Sequence, residues 1–367
     1  MKIVCSKSQL DMAINHVQKA VSVRSTLSLL DSILFVAKDN EVHLTGYDLE
    51  TGIEVRFEAD VIQEGEILLN AKMIAEIVKK LPDETISISS DSQFTTIISS
   101  GNSQFNVKGL DASDYPQLPE IDANEKLTIP QSMFKEMISQ TIFAVSTDES
   151  RPAFNGALLN SNSNVVELVA IDGFRLAVRV EELDYDIPDV KILIPGKALK
   201  NIQSILGDNG DLELYTTQNH IKVNVGEVTL ISRLIQQDFM DYHKILPNTY
   251  STRIEINTKD FYHAVERADL ILPNQDRRYP MSLKFTGSQI MNVTATTNVG
   301  NMEDGVELNY FDGDELEIDF NQRYFLDALK VINDENVTVE FNGPVGPCII
   351  QPVEGNYFTY LILPLRR

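Results

Sequence analysis

Side chains suited to chemistry are spread thinly along this 367-residue chain. The histidines His16, His43, His220, His243 and His263 share no H-x-x-x-H spacing, and Cys5 and Cys348 lie at opposite ends with no C-x-x-C pattern. A zinc centre draws its ligands from short, grouped spacings, so neither a zinc site nor a disulfide framework is expected, and no cofactor is implied. No G-x-S-x-G, P-loop or glycine-rich phosphate loop occurs. Asp148 with Glu149, or Asp111 with Asp114, has the proximity of an acid–base pair, but neighbouring acids of this kind are far more often turn or surface residues. The feature that stands out is the carboxyl end, YLILPLRR (360–367), an apolar run closed by two cations where chains usually fray and are polar.

Charge and composition narrow the classes. With 31 Lys and Arg against 54 Asp and Glu the net charge is −23. That acidity opposes phosphate binding, which runs on Lys and Arg, unless the cations gather on one surface. The apolar run in the start MKIVCSKSQLD is too short for a secretory signal, no stretch approaches a membrane span, and the cysteine usage fits a reducing compartment. A cytoplasmic location without membrane contact is the expectation.

The elements that position these residues come in threes. KIVCSKSQL (2–10), KLTIPQSMF (126–134) and RIEINTKDF (253–261) each read as a short strand, a polar break and a helix start. Helical stripes follow: Leu10, Ile14, Val17 and Val21; then Phe134, Met137, Ile138 and Thr141; then Phe261, Ala264, Val265 and Ala268. A second helix recurs in AKMIAEIVKKLPDE (71–84), GKALKNIQSILGDN (196–209) and NQRYFLDALKVINDE (321–335). After each come alternating apolar pairs, Ile86 and Ile88, Leu212 and Leu214, Val337 and Val339, the pattern of half-buried antiparallel strands. DYPQLP (114–119), DYHKILP (241–247) and LILPLRR (361–367) close the units. The spacing predicts an α+β fold of three repeats, 1–125, 126–250 and 251–367, each with two helices packed on antiparallel sheet. The linkers fall at 121–126 and 247–252, and each unit is large enough for its own core. A three-domain adhesion or scaffold protein would share this organisation.

The segments TLSLLDSILF (26–35), LTGYDLE (44–50), GLDASDYPQLP (109–119), FAVSTDESRPAFNGALL (143–159), VAIDGFRLAV (169–178), ILIPGKAL (192–199) and the terminal LILPLR together resemble the bacterial DNA polymerase III beta subunits, the replicative sliding clamps. The resemblance runs the whole length of the chain. It implies clamp-type domains in a head-to-tail homodimer, a ring around duplex DNA with helices lining the hole and sheets outside. Such a clamp catalyses nothing. It tethers the polymerase at the primer end, so that a weak contact becomes processive. The implied partners are double-stranded DNA held without sequence preference, a second copy of the chain, the clamp loader, the replicative polymerase subunit and other clamp-motif proteins.

The charges follow that plan. Lys19, Lys72, Lys79, Lys80, Lys135, Lys197, Lys200, Lys259, Arg267, Arg323 and Lys330 fall in the paired helices, whereas 303–319 carries eight acids and no base. The resemblance assigns DNA-facing positions to Arg24, Lys72, Lys197, Arg277 and Arg278, contacts that would be to phosphates and salt-dependent. It assigns a peptide-binding pocket to Arg151, Phe154, Ile171, Gly173, Phe174, Arg175, Leu176, Met240, Lys244 and Ile245, joined by Leu361, Leu363, Pro364, Leu365 and Arg366 of the tail. Apolar members would form a socket for Leu and Phe anchors, each worth about 1.5–3 kcal/mol before ordering costs, with Arg and Lys at the rim. The family often has Thr at Ile171, His or Ser at Phe174, Leu or Ile at Phe154, Pro at Met240 and Arg at Lys244. The implied socket is therefore bulkier and more apolar. Phe105 and Val107 would meet Leu270 and Ile271 of the partner at the dimer seam, a heterologous contact that closes into a ring.

Overall fold

The structure, a computed structural model, describes residues 1–22, 27, 29–121, 126–273 and 278–366. Its two compact units are Met1–Lys135 with Lys197–Leu234, and Glu136–Gly196 with Ile235–Arg367. The six expected α-helices are present: α1 (Lys7–Val17), α2 (Ala71–Lys80), α3 (Gln131–Ser139), α4 (Gly196–Ile205), α5 (Thr258–Asp269) and α6 (Gln322–Leu329). Local chemistry sets where several of them begin. Ser6, Asn70, Asn257 and Asn321 stand in extended backbone just before α1, α2, α5 and α6, and their side chains accept first-turn amides. Each cap satisfies a donor that the helix itself cannot.

The expected stripes are buried. Leu10, Ile14 and Val17 of α1, Phe134, Met137 and Ile138 of α3, and Phe261, Ala264, Val265 and Ala268 of α5 are all removed from solvent. Val21 and Thr141 are buried too, although both lie beyond their helices. Ile86, Ile88, Leu212, Leu214, Val337 and Val339 point inward from the strands that follow α2, α4 and α6.

One kind of junction occurs in both units. In the first, strand Val228–Arg233 pairs antiparallel with Thr51–Glu58, Leu230 opposite Ile53, within an eight-stranded sheet. In the second, Arg175–Glu182 pairs antiparallel with Phe358–Ile362, Leu176 opposite Leu361, within a twelve-stranded sheet. Each pairing joins strands far apart in sequence, so backbone hydrogen bonds and apolar burial act together at the junctions. A five-stranded sheet in the first unit ends on strand Ser103–Lys108, which pairs only with Thr95–Ser100 among the described residues.

Two expectations need correction. DYPQLP and DYHKILP do not close their units as the tail does: residues 115–119 have no regular structure, and Tyr242–Ile245 is one turn of 3-10 helix, whereas the tail begins inside strand Phe358–Ile362. Only the part of the tail after strand Phe358–Ile362 resembles them, because proline donates no amide and ends the ladder. The 247–252 linker also ends early. Thr252 is fully buried at the start of strand Thr252–Asn257, and the Ser251 amide donates to Phe341 O at 2.8 Å.

Phe325 of α6 is fully buried between Phe261 and Phe320, with ring centroids 5.4 and 5.0 Å away. Phe325→Ala leaves a cavity at this three-ring contact and is expected to cost about 3–5 kcal/mol in denaturant unfolding. A loss below about 1 kcal/mol would show that the α5–α6 layer is not held by these rings.

Candidate functional site

The second unit gathers much of the expected pocket around one apolar cluster. Ile171, Leu176 and Leu361 are buried there with Leu158, Val169, Val178, Leu193, Tyr242 and Ile349, and Phe154 and Ile245 pack against it. Strand pairing explains the convergence: Ile171 lies opposite Leu176, and Leu176 opposite Leu361, so three neighbouring strands turn these side chains to one face. Phe174, Met240 and Leu363 remain exposed. Met240 joins the group through a small cavity of about 140 Å³ that it lines with Leu158, Phe239 and Tyr242, among others. The Tyr242 hydroxyl donates to Glu167 Oε2 at 3.3 Å, and burial, followed by that carboxylate, pushes its pKa up.

The turn of VAIDGFRL is built on Asp172. Its Oδ1 accepts from the Phe174 and Arg175 amides at 2.9 and 3.1 Å, and its Oδ2 accepts from Arg175 Nε at 2.9 Å. Gly173 has φ +92°, a backbone conformation that favours glycine, and an added Cβ would lie 3.1 Å from Arg151 Nη1. The Arg151 guanidinium sits 5.9 Å from the centre of the Phe154 ring.

Arg175 differs from the expected rim donor. Its side chain is only 12% exposed, Nη1 donates to Asp327 Oδ2 at 2.5 Å, and the guanidinium lies against the rings of Tyr324 and Phe143 at 4.8 and 5.4 Å. The charge is therefore spent on holding the turn against α6, with Phe174 stacked on Tyr324 at 6.2 Å. Lys244, expected at the rim, stands in a different environment. It is largely exposed and pairs with Asp241 at 3.1 Å, and that hydrogen bond lowers the Asp241 pKa.

The tail divides. Leu361 belongs to the cluster, and the Leu363 amide donates to Phe174 O at 2.9 Å. Pro364 has no amide to continue that ladder, and the Leu365 amide instead donates to Asp319 O at 2.7 Å. Leu365 and Arg366 line a different cavity, about 550 Å³, with Glu317, Ile318, Asp319, Pro344 and Val345. Sequence reasoning missed Asp172, Tyr324 and Asp327. The Asp-Gly dipeptide was a turn signal for the first. The other two had only a helical spacing of three, which does not reveal what that face meets.

Of the DNA-facing candidates, Lys72 is exposed on α2 and Lys197 on α4, where the Lys197 ammonium pairs with Asp48. Arg278 lies with its guanidinium 5.9 Å from the Tyr279 ring centre. Arg24 and Arg277 lie outside the described residues. Separation of helix cations from strand and loop acids is incomplete, since Lys135 pairs with Asp208 at 2.8 Å and Arg267 pairs with Asp304. At the expected seam, Phe105 is exposed and Val107 half-buried on the edge strand Ser103–Lys108, while Leu270 is 82% exposed and Ile271 half-buried just past α5. Among the described residues no group of three or more His, Cys, Asp or Glu is placed to hold a metal ion. Nor, among the described residues, is any helix long and apolar enough to cross a membrane.

Three family models cover nearly the whole chain: DNA polymerase III beta subunit N-terminal domain over residues 1–119, central domain over 128–241 and C-terminal domain over 243–366. The beta sliding clamp of Staphylococcus epidermidis is 36% identical over 363 residues, 96% of each chain. The crystal structure of the DNA polymerase sliding clamp from Bacillus subtilis superposes with a TM-score of 0.95 at 33% identity, covering 100% of this chain and 99% of that one. A DNA polymerase III subunit beta from Pseudomonas aeruginosa, solved bound to griselimycin, gives 0.93 at 27% identity over 100% of both chains.

Asp172→Ala removes three acceptor contacts from the turn that carries Phe174 O. Charge-assisted bonds of this kind are worth about 1.5–3 kcal/mol each, so amide exchange at Leu363 should accelerate by about tenfold or more. Unchanged protection at Leu363 would show that the tail is held independently of Asp172.

Proposed function

The chain belongs to the DNA polymerase III beta subunit family, and from that premise we propose how its surfaces are used. It is a replicative sliding clamp, a non-catalytic processivity factor of three clamp domains that encircles duplex DNA and tethers polymerase. The repeats 1–125, 126–250 and 251–367 are the domains, with the helices turned to the DNA. Lys72, Lys197, Arg24, Arg277 and Arg278 contact phosphates. A sequence-independent, salt-screened hold of this sort keeps the ring on DNA without arresting it.

Two copies close head to tail. Supporting this is the free edge of strand Ser103–Lys108 with its exposed Phe105, together with the bare Leu270 beyond α5. Long unpaired apolar edges are a pairing hazard that a soluble protein covers or uses.

The partner site is the apolar cluster flanked by Phe174, Met240 and Leu363. The observation that carries it is the convergence of Phe154, Ile171, Leu176, Ile245 and Leu361 on one face, with Lys244 at the rim and backbone groups of the tail beside them. It takes short peptides with Leu and Phe anchors from the clamp loader, the replicative polymerase subunit and other clamp-motif proteins. Ile171 and Phe174 enlarge its apolar area. Leu365 and Arg366 act at the flank, next to their own cavity, rather than in the socket floor.

Deleting residues 363–367 should abolish binding of a labelled Leu/Phe-anchored peptide while the solution mass stays that of a dimer. Peptide affinity unchanged by the deletion would contradict the assignment. Separately, Leu270→Asp is expected to lower the mass in sedimentation to that of one chain, because a carboxylate in the seam must be desolvated. A stable dimer in that variant would place the seam elsewhere.

A further inference from the structure

Each second helix carries a cation at its second residue: Lys72 in α2, Lys197 in α4 and Arg323 in α6. The amino end of a helix bears partial positive charge, so a cation there is disfavoured unless something compensates. Lys72 stands exposed with no carboxylate in ion-pairing range among the described residues. Lys197 is handled differently, because its ammonium donates to Asp48 Oδ2.

Asp48 is fixed in place. Its side chain is 8% exposed against 54% for Lys197. Its other oxygen accepts the Glu50 and Thr51 amides at 3.0 and 2.7 Å, closing the turn of LTGYDLE. Thr51 in turn begins a strand paired with Val228–Arg233, and its hydroxyl lies 3.3 Å from that of Ser232 in a buried contact. The carboxylate is therefore rigid while the lysine stem is free to swing.

We propose that Asp48 is a positioning residue that competes with DNA phosphate for Lys197. The lysine meets DNA by exchanging one anion for another, so its net contribution is smaller than that of a lysine such as Lys72, which has no carboxylate partner among the described residues. Asp48 thereby weakens the hold at this point of the ring and favours movement along the duplex. The inference rests on the reading of Lys197 as a phosphate contact, and the test separates the two.

Binding of the full-length protein to a fluorescent duplex is measured by anisotropy across a salt series. Asp48→Asn keeps an oxygen for the Glu50 and Thr51 amides but removes the competing charge. It should tighten binding at low salt by about two- to fivefold, the factor a partly exposed ion pair is worth, while the melting temperature confirms an intact fold. Lys197→Ala should weaken binding, and Asp48→Asn should add nothing in that background. If Lys197→Ala weakens binding but Asp48→Asn fails to tighten it, the competition is overturned and the phosphate contact stands. Tightening by Asp48→Asn that persists without Lys197 is a general charge effect and also overturns it. No effect of Lys197→Ala removes the phosphate contact and the competition together.

Discussion

The antiparallel pairing of Arg175–Glu182 with Phe358–Ile362 is the constraint on which the proposed partner-binding surface depends. It makes one sheet from segments nearly two hundred residues apart and sets Ile171, Leu176 and Leu361 side by side. A one-residue slip would turn Leu361 to the opposite face, so the socket and the fold share a single register. Asp172 and Arg175 sit at the end of that ladder and fix the turn that presents Phe174. The first unit repeats the device where Val228–Arg233 meets Thr51–Glu58. Joining repeats edge to edge leaves strand Ser103–Lys108 as an edge with apolar side chains, which is where a second copy would continue the pattern.

The net acidity no longer opposes a role on DNA, but it does limit how strongly any one cation can act. Several helix cations are already engaged: Lys135 by Asp208, Arg267 by Asp304 and Lys197 by Asp48. A clamp needs to stay on DNA by topology and to slide, so partly neutralised cations suit it better than an unbroken basic track. Under the proposed use of these surfaces, weak phosphate contacts and a weak peptide socket would serve the same end, since tethering multiplies both.

The repeat plan was legible because buried stripes and alternating strands recur at nearly constant spacing, and all six helix starts follow from it. Segment roles were less legible. DYPQLP, DYHKILP and LILPLRR share Leu and Pro, yet only the last begins within a strand of its sheet. Three apolar residues expected at the socket, Ile171, Leu176 and Leu361, fall on one face because strand register brings them together. Arg175 read as a rim donor because sequence cannot show that Asp172, Asp327, Tyr324 and Phe143 surround it. Where Leu365 and the expected rim donor Arg366 come to lie was not legible, because the effect of Pro364 depends on which backbone group the next amide finds.

The central claim is that the protein holds DNA by encircling it. The most direct measurement loads the protein on a nicked circular duplex at moderate salt and follows the bound fraction before and after a single linearising cut. Encirclement predicts retention on the circle and rapid loss from the open ends of the linear form. Equal retention on circular and linear DNA, or no retention on either, would contradict the account.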